Sequence, residues 1–486
     1  MSRRHLQLCE PRRLCIVLGL ALSVGACGTG DEEGMGRERR GQSVFPMVHL
    51  AAVGNISYSK TRLDGQYLYG VGVTSTGSTL FRVDLAAVPT HGPQSGGQAE
   101  ALFATDSQSE VIGLEVEPQA NGSIYFGVEQ LPAPATGVKK ALQAVKKLLP
   151  GWLTGGDESI YMTTLYRLRK SDQVPSVVVK NIPTQNTNRG SELWIGIDDQ
   201  RLYWATSMWR FDPDKDFGGV IRAMAKPGLT VTAVENTSTE ILACELKELN
   251  GRWMPAVHVG ATHVYWMTQD TDFKKGGTVS AFWRAPKQGF VGHPRSIEDL
   301  AAVKATRTKI AEWSYECKDC AEALWGFTAD DERLYAVVKD YSMSTNAGPT
   351  FKIVHQLKDG ATGLVPASAA IAFSTIGYEQ NLYTATDASG IALLHIDASS
   401  LKASIATPGC GKKQFQEQAF TISQVPLGAI GTGNVQLETL HSATNSSFYW
   451  FTGGCIMATP NAVMAKTADA VYAVTPENAI YRLPVD

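Results

Sequence analysis

Two kinds of signature are missing from this sequence of 486 residues. It contains no G-x-S-x-G pattern, the nucleophile elbow of hydrolases, and no H-E-x-x-H pattern of zinc proteases. It also has no G-x-x-x-x-G-K-[ST] pattern of phosphate-binding loops. It also lacks an excess of basic residues, because 47 acidic side chains face 44 lysines and arginines, for a formal charge of −3. General nucleic-acid binding needs a basic surface and is therefore not expected.

Long apolar segments are equally scarce. The run LCIVLGLALSVGA (Leu14–Ala26) stands alone; four arginines precede it and Cys27 follows it directly. A basic start, a short apolar run and small residues at its end predict a secretory signal over residues 1–26. The run is shorter than the roughly 20 apolar residues of a membrane-spanning helix, so it is not expected to span the bilayer. Because no other long apolar run occurs in the sequence, the rest of the chain is expected outside the bilayer.

The stretch VGAC (Val24–Cys27) resembles the lipobox of bacterial lipoproteins, in which a cysteine follows the signal. The resemblance implies that Cys27 carries lipid and that the protein is exported and anchored in the bacterial cell envelope, on a membrane and face that stay open. Residues 27–45 are glycine-rich and charged, which predicts a flexible tether. Removing residues 1–26, with four arginines and one glutamate, changes the formal charge from −3 to −6.

An imperfect repeat organises residues 46–486. Each unit has a polar turn, an aromatic strand, a loop and a second strand that ends in basic residues. The aromatic strand is clearest in RLYWAT (Arg201–Thr206), HVYWMT (His263–Thr268) and SFYWFT (Ser447–Thr452). Such units recur at intervals of roughly 40 to 80 residues. They predict an all-β fold, with a single β-propeller as its architecture. Seven blades are favoured, six or eight stay open, and a row of separate β-sandwiches is the alternative.

The Tyr-Trp-x-Thr strands are similar to the YWTD repeats of β-propellers in lipoprotein-receptor ectodomains and in secreted bacterial proteins. The resemblance implies a propeller over most of residues 50–486. The sequence departs from the repeat after the threonine, where Ser207, Gln269 and Gly453 replace aspartate. The resemblance therefore bears on the architecture and not on a receptor function.

The candidate binding residues are aromatic and acidic side chains in the hairpin loops of the third to fifth units. This mixture is typical of protein interfaces and sugar-binding platforms, because flat rings give a large contact area at low entropic cost. The predicted binding face comprises Trp209, Phe211, Asp212, Asp214, Asp216, Phe217, Asp270, Asp272, Phe273 and Tyr341.

Three of these residues, Asp212, Asp214 and Asp216, alternate ahead of paired glycines, as in calcium-binding loops. An EF-hand needs glycine at its sixth position and glutamate at its twelfth, where this sequence has Phe217 and Ala223. A looser calcium site is therefore an alternative to a polar turn in which the aspartates bond nearby amides. No cofactor is required by the sequence.

An insertion at about 130–160 lies inside the second hairpin. Its apolar residues Val138, Leu142, Val145, Leu149 and Trp152 recur at helical spacing, with lysines away from that stripe. A basic amphipathic helix is predicted, as a lid over the propeller or, alternatively, as a contact with anionic lipid.

Five cysteines lie beyond the lipobox, namely Cys244, Cys317, Cys320, Cys410 and Cys455. In an exported protein most of them should form disulfides. Because five is an odd number, one thiol either stays free or forms a disulfide between two molecules. Cys317 and Cys320 have the spacing of thiol oxidoreductases without the strand-to-helix context, so a structural bridge is expected.

Taken together, these features predict a non-enzymatic, lipid-anchored envelope propeller whose loop-rich face binds a protein or a glycan. The alternative is a propeller enzyme that acts on polysaccharide or peptide through carboxylates at the channel mouth. The third hypothesis is a purely structural component of the envelope. His258 and His263, which lack a nearby carboxylate in the sequence, are interpreted as surface or core residues.

Overall fold

The computed structural model divides the chain into two units, Met1–Gln42 and Ser43–Asp486, and all described residues belong to the second. The structure describes residues 47–49, 55–74, 76–87, 93–94, 99–130, 160–187, 190–191, 193–207, 217–246, 252–253, 257–272, 277–291, 302–303, 306–316, 323–329, 332–340, 350–359, 365–366, 390–396, 402–406, 414–417, 419–426, 438–444, 449–451, 455–457, 462–474 and 479–485. Nearly all of them lie in strands, so the all-β prediction is confirmed. The predicted helical insertion lies outside these residues.

The first sixteen strands follow one another through turns and loops of different length. They are β1 Met47–His49, β2 Asn55–Leu63, β3 Tyr67–Thr74, β4 Gly77–Asp84, β5 Pro93–Gln94, β6 Ala99–Ala104, β7 Ser109–Val116, β8 Ser123–Gln130, β9 Ile160–Arg169, β10 Ser176–Thr187, β11 Gly190–Ser191, β12 Leu193–Ile197, β13 Arg201–Ser207, β14 Phe217–Ala225, β15 Val234–Glu235 and β16 Glu240–Leu246. Single 3-10 turns lie at Leu85–Ala87 and Asn236–Ser238. Over the ranges given above, no helix is both long enough and apolar enough to cross a membrane.

The remaining strands continue the same pattern to the end of the chain. They are β17 Arg252–Trp253, β18 Val257–Val259, β19 His263–Asp272, β20 Gly277–Pro286, β21 Phe290–Val291, β22 Thr308–Glu316, β23 Ala323–Ala329, β24 Arg333–Asp340, β25 Thr350–Leu357, β26 Val365–Pro366, β27 Gly390–Ile396, β28 Lys402–Ala406, β29 Gln414–Glu417, β30 Ala419–Pro426, β31 Glu438–Thr444, β32 Tyr449–Phe451, β33 Cys455–Met457, β34 Ala462–Lys466, β35 Ala470–Val474 and β36 Ala479–Pro484.

Most pairs in the larger sheets are antiparallel and join strands close in sequence, the simplest way to join strands through short connections; the pairs β1-β5 and β10-β15 are parallel. In chain order, the described sheets are sheet 1 (β2-β3-β4-β6), sheet 2 (β7-β8-β9-β10-β11), sheet 3 (β12-β13-β14-β16-β21), sheet 4 (β17 and β18 on β19, then β20-β22), sheet 5 (β23-β24-β25-β26), sheet 6 (β27-β30-β31) and sheet 7 (β34-β35-β36-β1-β5). Strand β15 also belongs to sheet 2, where it pairs with β10, and two strand pairs, β28-β29 and β32-β33, complete the described pairing.

Sheet 7 joins the two ends of the described chain. Its strand β36 pairs with β35 on one side and with the first described strand, β1, on the other, with Met47 opposite Tyr481. The opening strands of the sheets also lie beside one another: β7 contacts β2 and β12, β18 contacts β12 and β23, and β34 contacts β27 and β2. Sheets 1 to 5 therefore follow one another in chain order, sheet 7 lies beside sheet 6, and sheet 7 returns to sheet 1.

Each core cluster lies between two successive sheets, because residues one apart on a strand face opposite sides of it. In the repeated Tyr-Trp pair of β13, Trp204 packs back against sheet 2, whereas Tyr203 packs forward against sheet 4. In β19, Trp266 packs back against sheet 3 and Tyr265 forward against sheet 5. All four rings are buried, so a Tyr-Trp strand supplies both faces of its sheet with core.

One glycine marks where two opening strands come close. Gly113 has a φ of +68° and lies at a register shift in β7, between Ile112 and Leu114. A Cβ added there would stand 2.5 Å from the carbonyl oxygen of Leu193 in β12. Only glycine fits that backbone conformation at this distance without strain.

Candidate functional site

The predicted binding face is placed only in part. Trp209, Phe211, Asp212, Asp214, Asp216, Phe273 and Tyr341 lie outside the described residues. Phe217 begins β14, while Asp270 and Asp272 lie at the end of β19, with Asp272 opposite Gly277. Ser207 pairs with Gly219 at the last described pair of the β13–β14 hairpin, and Asp272 pairs with Gly277 at the last pair of the β19–β20 hairpin. In both sheets this is the end that follows the Tyr-Trp pair. We call this the hairpin end of the sheets.

A buried polar cluster occupies the hairpin end of sheet 2, just before the insertion at 131–159. The carboxylate-bearing Glu129 in β8 and the hydroxyl-bearing Thr163 and Thr184 in β9 and β10 are all fully buried. Thr184 donates its hydroxyl to Oε1 of Glu129, and the Thr163 and Thr184 Oγ1 atoms lie 2.9 Å apart. Because Thr184 has one hydroxyl proton, Thr163 must donate to Thr184, and the two hydroxyls form a chain that ends on the carboxyl group.

Glu129 is not among the residues predicted from the sequence, although its strand carries a recognisable pattern. SIYFGVEQ (Ser123–Gln130) has Tyr125 where the Tyr-Trp-x-Thr strands have their tyrosine, and Glu129 stands four residues later. That is the position held by Ser207 in β13 and by Gln269 in β19. Without the tryptophan and threonine, the strand did not fit the short motif, and its acidic residue went unnoticed.

Replacing Glu129 by alanine is expected to lower the free energy of unfolding by about 2–3 kcal/mol, since the buried Thr184 hydroxyl loses its acceptor and a cavity remains. Urea denaturation measures the change. Glu129→Gln keeps an acceptor and should cost less, and Gln130→Ala, an exposed neighbour, is the matched control. Equal stabilities for the Glu129→Ala and Gln130→Ala variants would show that the cluster contributes nothing.

The opposite end of the sheets, where the first strand turns into the second, carries a repeated polar cluster. In sheet 1, Asp64 accepts the backbone N–H groups of Gln66 and Tyr67 on Oδ1 and the hydroxyl of Tyr69 on Oδ2. Lys170, which follows β9 in the next sheet, donates to the same Oδ2 at 2.7 Å. This junction cluster links sheets 1 and 2 through one carboxylate, one tyrosine and one lysine.

Sheets 3 and 4 repeat the arrangement residue for residue. Asp198 accepts the N–H groups of Gln200 and Arg201 on Oδ1, and on Oδ2 it accepts the Tyr203 hydroxyl at 2.7 Å and Lys287 at 2.5 Å. The Lys287 ammonium lies 5.6 Å from the centre of the Tyr203 ring, as Lys170 lies 5.7 Å from that of Tyr69. Both tyrosines follow their aspartate by five positions.

Sheets 2 and 3 use a longer turn and a glutamate for the same purpose. Glu117 accepts the N–H of Ser123 on Oε2 at 2.7 Å, and its Oε1 pairs with Lys226 at 2.7 Å. Lys226 follows β14 as Lys170 follows β9, and it also donates to the carbonyl oxygen of Asp198 at 2.9 Å. Burial, followed by the negative charge on Glu117, raises the pKa of Tyr125 to about 12.

Three arginines cross boundaries in the reverse direction, each from one sheet to backbone carbonyl groups of the next. Arg167 of sheet 2 donates to the carbonyl oxygens of residues 227–229, including Pro227 at 3.0 Å. Arg201 of sheet 3 donates to the carbonyl oxygen of Lys287, and Arg284 of sheet 4 to that of Lys358 at 2.8 Å. The boundaries between sheets 2 and 3 and between sheets 3 and 4 thus combine a lysine reaching back with an arginine reaching forward, which explains basic residues at the ends of the predicted second strands.

The electrostatics of the junction clusters favour one protonation state. Burial acts to raise the pKa of Asp198, but hydrogen bonds from Lys287, Tyr203 and two N–H groups outweigh it and lower the pKa to about 2. Burial, followed by the bonded carboxylate, raises the pKa of Tyr203 well above its usual value. Neither group exchanges a proton near neutral pH, so these clusters hold the sheets together and are unsuited to general acid–base catalysis.

The described part of the chain does not test the predicted calcium site or the predicted disulfides. There, no group of three or more His, Cys, Asp or Glu side chains converges on one point. Cys244 is fully buried in β16, Cys455 begins β33, and Cys317, Cys320 and Cys410 fall outside the described ranges. Calcium binding and cysteine pairing remain predictions from the sequence.

No family model and no curated protein matches this sequence. Solved structures that are similar to it include a prolyl endopeptidase (9% identity, TM-score 0.41, covering 89% of this chain and 46% of that chain). Others are extracellular domains 1–2 of Drosophila semaphorin 1b (10%, 0.41, 91% and 87%) and an α-L-arabinofuranosidase from Fusarium graminearum (11%, 0.36, 80% and 98%). This chain thus spans about half of the endopeptidase chain, and similarities this low carry no inference about its activity.

Proposed function

We propose that residues 46–486 form a seven-bladed β-propeller that is tethered by lipid on Cys27 in a bacterial envelope and binds a protein or a glycan through its hairpin end, without catalysis. The architecture is supported by the described topology. The opening strands of sheets 1 to 5 lie side by side in chain order, those of sheets 6, 7 and 1 do the same, and β1 completes sheet 7. Pairing the first strand of a chain with its last sheet is an economical way to close a ring of sheets.

The observation that carries the binding function is the difference between the two ends of the sheets. The turns at the junction end are short and bonded to the neighbouring sheet, as at Asp64 and Asp198. The connections at the hairpin end vary from residues 75–76 in sheet 1 to 131–159 in sheet 2 and 208–216 in sheet 3. A rigid scaffold with variable loops on one face is the usual design of a recognition surface.

The composition of these loops supports a protein or glycan as the ligand. Trp209, Phe211 and Phe273 stand among aspartates in the connections at the hairpin end. Aromatic rings provide apolar contact area for a partner or for the faces of sugar rings, and carboxylates accept hydrogen bonds from hydroxyl and amide groups. The net negative charge disfavours nucleic acid as the ligand.

The proposal is tested by crosslinking the tethered protein in its own envelope, purifying the recovered protein or glycan, and measuring its affinity for the isolated chain. The double variant Trp209→Ala/Phe211→Ala should bind at least about tenfold more weakly, as loss of central aromatic anchors does. Leu229→Ala is the matched control, because Leu229 is 83% exposed in a loop at the junction end. Unchanged affinity in the double variant contradicts the proposed face, and shortening of the recovered glycan or peptide by the chain favours the enzyme instead.

A further inference from the structure

Two aliphatic side chains at the junction end of sheets 2 and 3 are exposed to solvent. Val174, in the turn between β9 and β10, is 76% exposed, and Leu229, in the connection between β14 and β15, is 83% exposed. They are the two most exposed large apolar side chains in the described part of the chain, and we call them the apolar pair. Single exposed apolar residues are ordinary on protein surfaces, so the pair has meaning only if its members are neighbours.

Arg167 holds the two turns next to each other. In the β9–β10 pairing it lies opposite Ser176, two positions after Val174. Its guanidinium donates to the carbonyl oxygens of Pro227 at 3.0 Å and of Leu229 at 3.2 Å. Because Arg167 is only 6% exposed, water competes poorly for these bonds. The apolar pair therefore lies on two adjoining turns that are fixed across the boundary between sheets 2 and 3.

The charged side chains beside these turns have partners of opposite sign. Arg169 pairs with Asp172 at 2.7 Å, and Lys226, just before the second turn, pairs with Glu117 at 2.7 Å. An interfacial segment of a protein keeps its polar groups among the lipid headgroups while its apolar side chains reach about 5–10 Å into the boundary with the acyl chains. Exposed aliphatic side chains among paired charges fit that environment.

The direction of β1 relates the apolar pair to the predicted tether. In sheet 7, His49 lies opposite Ala479, next to the β35–β36 hairpin connection, and Met47 lies opposite Tyr481. Strand β1 therefore begins on the side of the junction end and runs toward the hairpin end. Cys27 precedes Met47 by 20 positions, and a flexible chain of that length spans about 25 Å. A tether this short favours the junction end as the end that faces the lipid.

We propose that the junction end of sheets 2 and 3 is a membrane-contacting surface, on which Val174 and Leu229 enter the headgroup region of a phospholipid bilayer. This inference rests on the lipid tether of the proposed function. Two aliphatic side chains alone bind a membrane weakly, but a tether makes their contact intramolecular and raises their effective concentration at the lipid. The hairpin end then points away from the bilayer, toward a protein or glycan of the envelope.

The test is photochemical crosslinking of the full, lipid-bearing chain in vesicles of phosphatidylethanolamine and phosphatidylglycerol. Benzoylphenylalanine replaces Leu229 in one variant, and in the other it replaces Thr76, an exposed residue at the hairpin end of sheet 1. Phospholipid adducts should form at position 229 and stay at background level at position 76, which lies one strand length, about 25 Å, farther from the bilayer. Mass spectrometry of the same samples detects the lipid on Cys27.

A second comparison separates insertion into the lipid from proximity to it. In the chain with the probe at position 229, Val174→Asn removes the neighbouring apolar side chain and Val174→Ile keeps it. Val174→Asn should lower the yield of phospholipid adducts about fivefold, because the burial of one valine side chain in the membrane is lost. Val174→Ile should leave the yield unchanged. Since Val174 is 76% exposed, neither variant is expected to disturb folding.

Three outcomes overturn the proposal while leaving the tether intact. They are equal phospholipid adducts at positions 229 and 76, an undiminished yield in Val174→Asn, and adducts of position 229 with a second copy of the chain in place of lipid. Absence of lipid on Cys27 overturns the tether and this inference together, so the two failures are distinguishable.

Discussion

Replacing Asp198 by alanine is expected to lower the free energy of unfolding by about 3 kcal/mol. The substitution leaves the Lys287 ammonium, the Tyr203 hydroxyl and two backbone N–H groups without the carboxylate they share. The side chains of Lys287 and Asp198 are only 17% and 24% exposed, so water replaces the lost bonds poorly. Hydrogen bonds to a partly buried charge are worth about 1.5–3 kcal/mol each, with incomplete additivity.

The control for this variant is the adjacent residue. Asp199 is exposed, so Asp199→Ala changes the formal charge identically and should leave stability within about 0.5 kcal/mol of the wild type. Urea denaturation monitored by tryptophan fluorescence compares the three proteins. If Asp198→Ala and Asp199→Ala are equally stable, the junction clusters do not hold the sheets together.

The same carboxylate predicts the direction of the pH dependence. The pKa of Asp198 is lowered to about 2 in the folded chain from 3.8, so its contribution is complete above pH 4 or so and is lost as the pH falls toward 2. The difference corresponds to about 2 kcal/mol. The wild type should therefore lose more stability than Asp198→Ala between pH 5 and pH 2, and parallel pH profiles would contradict the assignment.

Replacing Cys27 by alanine is expected to move nearly all of the protein from the membrane fraction to the soluble fraction. One acyl chain gives only marginal membrane binding, whereas several chains on one cysteine hold a protein firmly. Cys27 directly follows the predicted signal, at the position that the lipobox resemblance implies for the lipid-bearing residue. Cell fractionation with immunoblotting measures the distribution, and mass spectrometry of the N-terminal peptide detects the lipid.

Cys15 provides the matched control, because it lies within the apolar run of the predicted signal and precedes the predicted cleavage point. Cys15→Ala should leave both the membrane association and the lipid unchanged. If Cys27→Ala remains in the membrane fraction, the protein is held there by something other than lipid on this cysteine, and the tether in the proposed function is wrong.

Much of the local structure could be predicted from the residues alone. The alternation along RLYWAT (Arg201–Thr206) and HVYWMT (His263–Thr268) indicates strands, because side chains one apart point to opposite faces. Polar turns before them and basic residues after their partners indicate hairpins. The acidic residue that mattered most at the hairpin end, Glu129, escaped because its strand departs from the motif at two positions.

The sequence by itself determined the class of fold and the order of its hairpins, because strand periodicity and turn chemistry are local properties. Only the tertiary structure decided which sheet each ring faces, with Tyr203 packing forward and Trp204 back. It also brought Lys170 to Asp64 across 106 positions and Lys287 to Asp198 across 89. These separations differ because the intervening loops differ in length. The Asp–Lys contacts between successive sheets therefore have no constant spacing in the sequence and could not be predicted from it.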